Sequence, residues 1–392
     1  MELQHFPLFL VTFLTILLLI FTLKLLSKKI LAKKPTLNLP PGPWKLPFIG
    51  SIHHLIASQL PHHTLRDLAK KHGPLMHLQL GEIPTIVISS PHVAQEVLKT
   101  HDIAFTNRPE LLSVKVLTYN CSDIAFAPYG NYWRQMRKLC TLELLSAKNV
   151  VSFASIREEE AFNLVQDVES KSGSIINLTE KIYALTNAVI CRAAFGKRRK
   201  EESAYFMSLI KELSLMITGL DISEVFPSLK FLQVITGTKE KLLKLHKKFD
   251  NVLDMIIEEH KQKLQQKYES SRKNNLVNLL LKLQESGTID FSFTTDNIKA
   301  VILDMFIAGT ETSATVLDWA MVEMMRNPKV MEKAQTELRR ILKGKNRVTE
   351  SDLKELPNGM KPEDVDVTET PGSSCSRKYN LCVIATSNDH GV

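Results

Sequence analysis

Residues Ala308-Gly309-Thr310-Glu311-Thr312-Ser313 interrupt a long apolar stretch, and few folds accept such an interruption. Glycine inside a helix costs about 1 kcal/mol relative to alanine, and a buried carboxylate without a partner costs more. The flanking pattern is nonetheless helical. Ile298, Val301, Ile302, Met305 and Phe306 recur at three- and four-residue spacing. Leu303 and Ile307 make the other side apolar, which predicts a helix over 296–326 buried all round. Thr294, Thr295 and Asp296 offer N-cap oxygens, and Asn327-Pro328 ends the run because the residue before proline avoids helical angles. Asp304, Glu311 and Asp318 recur every seven residues as one acidic stripe. The Thr312 hydroxyl can reach the Ala308 carbonyl four residues back, and such back-bonding bends helices. Gly309 removes the side chain that would block a widened turn. The functional expectation is a kinked helix whose opened turn, acid and alcohol handle a small polar ligand and its protons. The structural alternative is a tolerated glycine beside a helix-packing threonine.

The chain has 392 residues, room for one large domain or two ordinary ones, and 44% apolar content supplies a core. Residues 8–23 form an uncharged apolar run that, with Phe6 and Pro7, just reaches bilayer-spanning length. Lys24, Lys28, Lys29, Lys33 and Lys34 follow at once. Positive flanks stay cytoplasmic, so the N-terminus is expected in the lumen and the body in the cytosol. A cleaved signal peptide would have a shorter core, charges before it and small residues after it. Those lysines account for most of the net charge of +8, so the basic balance reads as a membrane-surface collar and not a nucleic-acid face. Lys197-Arg198-Arg199-Lys200 runs into Glu201-Glu202 and reads as a solvated turn. The five cysteines are scattered without a C-x-x-C pair, which argues against a disulfide framework and fits a reducing cytosol. Asn120-Cys121-Ser122 and Asn177-Leu178-Thr179 match the glycosylation pattern but lie on the cytosolic side of the expected topology, so neither is expected to be used.

Further along, Pro40-Pro41-Gly42-Pro43 is a stiff hinge. Residues 75–80 and 85–89 read as two strands joined across Gly81-Glu82-Ile83-Pro84. Ser90 caps a helix with Pro91 at its first position. Residues 101–127 show no period and read as a long loop. A helix over 129–144 places Trp133 and Arg137 on one face with Arg134 and Lys138 beside them. Helical patterns dominate 155–284, another helix covers 328–342, and a Pro-, Gly-, Ser- and Thr-rich tail from 357 holds one short strand at 381–386. Paired His53-His54 and His62-His63 invite a metal reading. Adjacent histidines on a helix are expected to point apart, and no carboxylate or cysteine completes a site, so no metal is expected. The fold class is mainly α with minor β.

Anchor, collar, hinge, Arg108-Pro109, the run from Ala127-Pro128-Tyr129-Gly130 to Trp133-Arg134, Arg137 and the Ala308–Ser313 run occur in an order that resembles the microsomal cytochrome P450 monooxygenases of plant specialised metabolism. The resemblance covers nearly all of residues 1–356. It implies a cytochrome P450 fold behind an N-terminal transmembrane helix, on the cytosolic face of the endoplasmic reticulum. It implies haem as cofactor, a small apolar substrate, dioxygen, and electrons from NADPH through a reductase. Trp133 and Arg137 would hold a haem propionate. Ala308 and Thr312 would lie against the haem, Glu311 and Thr312 would deliver protons to dioxygen, and Gly309 would leave room for it. Residues 101–127, 205–238 and 301–309 would line the substrate pocket, and Arg134 and Lys138 would dock an acidic reductase.

The chain departs from that family in one decisive respect. The family's iron ligand is a cysteine within F-x-x-G-x-R-x-C-x-G, whose thiolate pushes electron density onto iron. Neither Cys375 nor Cys382 sits in that motif, and none of the five cysteines fits it. The literal E-x-x-R matches at Glu269–Arg272, Glu323–Arg326 and Glu337–Arg340 all precede the place where the family's structural E-x-x-R helix belongs. Ser351-Asp352-Leu353-Lys354-Glu355-Leu356-Pro357 resembles the lead-in to that helix, and Pro357-Asn358-Gly359-Met360-Lys361-Pro362 resembles the segment after the cysteine loop. Roughly a hundred residues are expected to be missing between them for a one-domain enzyme of this kind. The organisation is then an anchor at 1–26, collar and hinge at 27–43, a truncated body at 44–356 and a remnant β segment at 357–392 whose strand lacks its usual neighbours. No metal ligand is assigned, and stable haem binding and turnover are not expected. Exposing a few hundred Å² of apolar surface at about 25 cal/mol per Å² costs several kcal/mol, against a usual stability of about 5–15 kcal/mol. A weakened body is expected. The alternative is a non-catalytic, membrane-bound helical protein that binds reductase or partner enzymes.

Overall fold

Helices form in this chain where apolar residues recur every three to four positions beside a capping side chain. A computed structural model describes Thr15 and residues 38–56, 60–196, 200–218, 221–265, 275–287, 289, 291–342, 345, 348–352 and 380–385. The anchor and collar apart from Thr15, the basic cluster at 197–199, the junction at Pro357 and Cys375 lie outside the described residues. The helices used below are α1 (Ile52–Ile56), α2 (Pro61–His72), α3 (Leu112–Leu117), α4 (Asn131–Leu139), α5 (Ala154–Glu169), α6 (Leu178–Phe195), α7 (Lys200–Thr218), α8 (Thr238–Gln265), α9 (Leu276–Ser286), α10 (Thr295–Arg326) and α11 (Pro328–Leu342).

The long helix α10 is the spine. Its capping box is complete: Thr294 accepts from the Asn297 N–H while the Asn297 side chain accepts from the Thr294 N–H. Helix α6 packs along it, α7 and α9 also pack on it, and α8 reaches its first turns through Asp250 and Asp254 on Lys299. Among the described residues it is the one helix long and apolar enough to cross a membrane, but its first half is the centre of the packed core. Phe306 stacks on Phe195 at 4.9 Å and meets Phe206 edge-on at 4.7 Å. Phe206 in turn stacks on Phe249 at 5.4 Å. Such pairs add about 0.5–1.5 kcal/mol each beyond area burial. Helix α8 supplies Leu242, Leu245, Phe249, Val252, Leu253 and Ile256, one apolar stripe at three- and four-residue spacing.

Two small sheets flank the helices. β1 (Leu75–Leu80) pairs antiparallel with β2 (Ile83–Ile88) across Gly81-Glu82. The turn is shorter than the sequence pattern predicts, and Pro84 lies inside the strand opposite Gln79. An edge strand accepts proline because the missing N–H faces away from the pair. Gly81 adopts φ +59°, and a Cβ there would meet the Val225 carbonyl oxygen at 2.4 Å, so the hairpin tip packs directly on the segment after α7. β3 (Ile175–Asn177) pairs antiparallel with β4 (Cys382–Ile384). The tail strand, expected to lack its usual neighbours, therefore has β3 as a neighbour. Three residues inside a helical stretch carry too little pattern to announce a strand whose partner lies some two hundred residues away.

Other expectations change as well. The stretch 101–127 is not a plain loop, because helices Asp102–Phe105 and α3 lie within it. Their one or two turns are too short to show a period. The His53 and His54 rings do not point apart: their centroids lie 3.9 Å from each other. Trp44 gathers them, with its ring 4.2 Å from His53 and its carbonyl 3.2 Å from the His54 ring nitrogen. The His62 and His63 rings likewise sit 4.6 Å apart.

Candidate functional site

The site is built where α4, the loop before it and α10 meet. Seven buried residues in a row, Asn297 to Leu303, show how completely the first turns of α10 are enclosed. After Phe306 the helix is covered on one side only. Ala308, Thr312 and Ser313 are exposed, and Val316 and Leu317 beyond them are 67% and 42% exposed. The expectation of burial all round fails for this second half, since α6 covers one face and no described element covers the other.

The Thr312 hydroxyl donates to the Ala308 carbonyl at 2.6 Å, as its position predicts. The turn does not open, however, and α-helix continues unbroken from Thr295 to Arg326. Gly309 has a packing reason: a Cβ there would lie 3.2 Å from Cδ1 of Ile190 on α6. The glycine thus lets two helices approach while its neighbours Ala308 and Thr312 face outward.

The acidic stripe is divided among different partners. Asp304 accepts from the Ile124 N–H at 2.6 Å. Asp318 accepts from the Thr179 hydroxyl at 2.7 Å, and the Thr179 oxygen accepts from the Leu381 N–H at 2.7 Å, which ties the tail strand to α10. Glu311 is half-buried and lies close enough for its charge to help raise the Tyr183 phenol, whose shift comes first from burial. Of the three acids, Glu311 alone sits at the exposed turn.

Trp133 and Arg137 come together as their spacing predicts. The Arg137 guanidinium carbon stands 5.1 Å from the Trp133 ring centroid, a cation–π contact of about 0.5–1 kcal/mol at an exposed position. The indole N–H donates to the Ile124 carbonyl at 2.9 Å. Arg108 staples the same loop by donating to the carbonyls of Ala125 and Thr106, each at 3.0 Å. Arg134 and Lys138 are exposed on α4, with Arg134 placed 5.9 Å over the Tyr129 ring.

The three regions expected to line a pocket do converge: α3 and α7 pack on α8 and on each other, and α7 also reaches α10. Their apolar side chains, among them Leu117, Leu213, Val301 and Phe306, join one packed cluster. A surface groove of about 610 Å³ lies instead between α8 and the start of α10, lined by Asp254, Glu258, Lys261, Asp296 and Lys299 among others.

Sequence reasoning missed two polar centres. Lys299 is 4% exposed and bonds Asp250 at 2.5 Å and Asp254 at 2.7 Å. Tyr119 donates to Asp250 at 2.9 Å and lies under the Lys299 ammonium. Burial raises the Asp250 carboxyl, but Lys299 and Tyr119 outweigh it and hold the group below its ordinary range. This anchorage coincides with three successive residues at positive φ, Tyr119, Asn120 and Cys121, a conformation that costs about 1–3 kcal/mol per residue. The only sequence signal was a lysine amid Ile298, Ala300 and Val301. The second centre pairs Asp123 with Asp304. Burial, then the charge of Asp123, pushes Asp304 up to about 8, and burial pushes Asp123 up to about 6.

The described cysteines do not fit a thiolate ligand for iron on the open face of α10. Burial, then Asp304, pushes the Cys140 thiol up to about 12, and burial also raises Cys121. Cys191 is enclosed in the core, and Cys382 lies on β4 opposite Asn177. Arg137 thus presents an exposed cation on the Trp133 ring, while among the described cysteines Cys140 and Cys191 are buried.

A cytochrome P450 family model matches residues 40–358. Premnaspirodiene oxygenase of Hyoscyamus muticus is 53% identical over 321 residues, 81% of this chain and 64% of the relative. Desmethyl-deoxy-podophyllotoxin synthase of Sinopodophyllum hexandrum is 50% identical over 341 residues, 86% of this chain and 67% of the relative. Germacrene A hydroxylase of Saussurea costus is 49% identical over 330 residues, 83% of this chain and 66% of the relative. A zebrafish cytochrome P450 structure with progesterone superposes with a TM-score of 0.62 at 23% identity, covering 76% of this chain and 67% of that one. The chain spans about two thirds of the length of these curated relatives.

Proposed function

The chain belongs to the cytochrome P450 family, and from that membership we propose that it carries the distal wall of a haem-thiolate monooxygenase without sustaining turnover itself. The parent activity is oxidation of a small apolar plant metabolite by dioxygen, with electrons from NADPH through a reductase, at the endoplasmic reticulum membrane. Relatives named for oxygenating premnaspirodiene and hydroxylating germacrene A support that substrate class. When bound, haem supplies the oxygen chemistry in that family. In this chain Trp133 and Arg137 would hold an anionic propionate, Ala308 would leave the open helix surface bare, Gly309 would keep α10 close to α6, and Glu311 and Thr312 would hold and pass protons. The organisation behind this reading is an anchor at 1–26, a collar and hinge at 27–43, a body at 44–356 and a remnant β segment from 357, with the ligand loop lost at Pro357 by in-frame deletion or alternative splicing.

One observation carries the inactivity: none of the five cysteines stands in an F-x-x-G-x-R-x-C-x-G context. P450 chemistry needs the thiolate of that motif's cysteine. A reduced-plus-carbon-monoxide spectrum of the membrane-expressed chain tests the proposal. No Soret band of thiolate-ligated haem is expected; such a band, lost in Cys375→Ser or Cys382→Ser, would sink it.

A second reading rests on the exposed basic pair Arg134 and Lys138. Here the chain is a membrane-bound binder of the reductase. Co-purification with reductase that is lost on Arg134→Glu with Lys138→Glu supports it, and retention by the double variant excludes it.

A further inference from the structure

The loop over 118–128 joins the two halves of the site, and Asp304 is the α10 side chain that bonds its backbone directly. Asp304 accepts the Ile124 N–H at 2.6 Å, and the carbonyl of the same Ile124 accepts the Trp133 indole N–H at 2.9 Å. A single residue, through its N–H on one side and its C=O on the other, therefore connects a carboxyl on α10 to the indole that carries Arg137. We propose that Asp304 is a positioning residue, which sets the Trp133 indole and with it the Arg137 guanidinium through the Ile124 backbone, and that Asp123 and Asp304 together hold a proton that keeps this link closed. The proposal deepens the reading of Trp133 and Arg137 as an anion clamp and rests on it.

Geometry makes the protonated pair the closed state. Asp123 is fully buried, and its Oδ1 has no hydrogen-bond partner, while Oδ2 accepts from the Phe126 N–H at 3.1 Å. An orphaned buried carboxylate oxygen is costly, and a proton on the pair removes most of that cost. The titratable groups around the pair are Tyr132 on α4, Cys140 just after α4 and Cys121 in the loop. All three are shifted away from ionising, chiefly by burial, so they stay neutral and add no negative charge beside the pair. Lys115 and Glu110 act on Cys121 with opposite signs.

The direction of the pH response follows. Both carboxyls titrate higher folded than unfolded, so their contribution is complete below the unfolded carboxylate range and is lost as pH rises. The loss of stability begins in the ordinary carboxylate range and is complete once both groups have ionised in the folded chain, as pH passes the values to which burial pushes Asp123, about 6, and burial with the charge of Asp123 pushes Asp304, about 8. Above that window two like charges face each other in a dry site and the Ile124 link loosens.

The test uses the full chain with Trp44→Phe and Trp319→Phe, leaving Trp133 as the single fluorophore. Its emission is expected to shift red as pH rises through the window, with faster amide exchange at 122–128. Asp304→Asn keeps an oxygen for the Ile124 N–H and has no charge to gain, so it should retain the low-pH emission and abolish the step. Asp304→Leu should show the high-pH emission throughout. Asp123→Asn removes the opposing charge and should move the step to lower pH, which keeps the test alive if the leucine variant fails to fold. An unchanged step in Asp304→Asn, an unmoved step in Asp123→Asn, or no step in the parent overturns the proposal. None of these readouts involves haem, so failure here leaves the clamp reading intact, and failure of a haem spectrum leaves this link intact.

Discussion

The two halves of α10 belong to one unbroken helix yet meet different surroundings. From Asn297 to Phe306 it is enclosed by α6, α7, α8 and α9, and even its lysine is buried and paired. From Ala308 onward α6 holds one side while Thr312, Ser313, Val316 and Leu317 face outward. The contrast separates two reasons for apolar residues in a helix. In the first half they are matched by aromatic and aliphatic partners on this chain. In the second they form a surface whose complement, on the family reading, is a haem and the wall beneath it.

Substitutions should divide along the same line. The largest effect is expected from Phe306→Ala, which empties the centre of the aromatic cluster and should cost about 3–5 kcal/mol in urea unfolding. A cost below that of an ordinary surface change would mean the first half is not the packed one. Lys299→Met should come next, at about 2–3 kcal/mol, somewhat below a fully buried pair because Asp250 and Asp254 keep some water. Its sign depends on pH: Asp250 titrates below its ordinary range, so the pair's contribution is present above the unfolded carboxylate value and lost as pH falls through the folded one. The stability gap between wild type and variant should therefore close in acid. Thr294→Ala removes the capping box and should cost about 1 kcal/mol in thermal unfolding. The smallest effect belongs to the open half: Val316→Ser should stay within about 0.5 kcal/mol and reduce aggregation. A loss of 2 kcal/mol or more there, on the scale of a buried aliphatic truncation, would place a covering partner on that face.

Legibility in the sequence followed the range of the interaction. The cap at Thr294, the stop at Asn327-Pro328, the Ser90 cap and the bond from Thr312 to Ala308 are all settled within four residues, and each is found as the pattern predicts. The pairing of Trp133 with Arg137 is likewise one helical turn. What stayed hidden is held by distant partners. Lys299 finds its acids on α8, Asp304 finds a loop N–H of Ile124, and β3 finds β4 across most of the chain. The seven-residue acidic stripe misled for the same reason, because Asp304 and Asp318 are claimed by different neighbours and only Glu311 stays at the exposed turn. Gly309 misled differently: its missing side chain admits Ile190, a contact that no reading of one helix alone can show.

Residue-resolved hydrogen exchange along α10 tests the central contrast most directly. The account predicts slow exchange over 298–306, limited by opening of the whole core, and much faster exchange over 312–324, where one side of the helix is unsupported. Equal protection along both halves would contradict it.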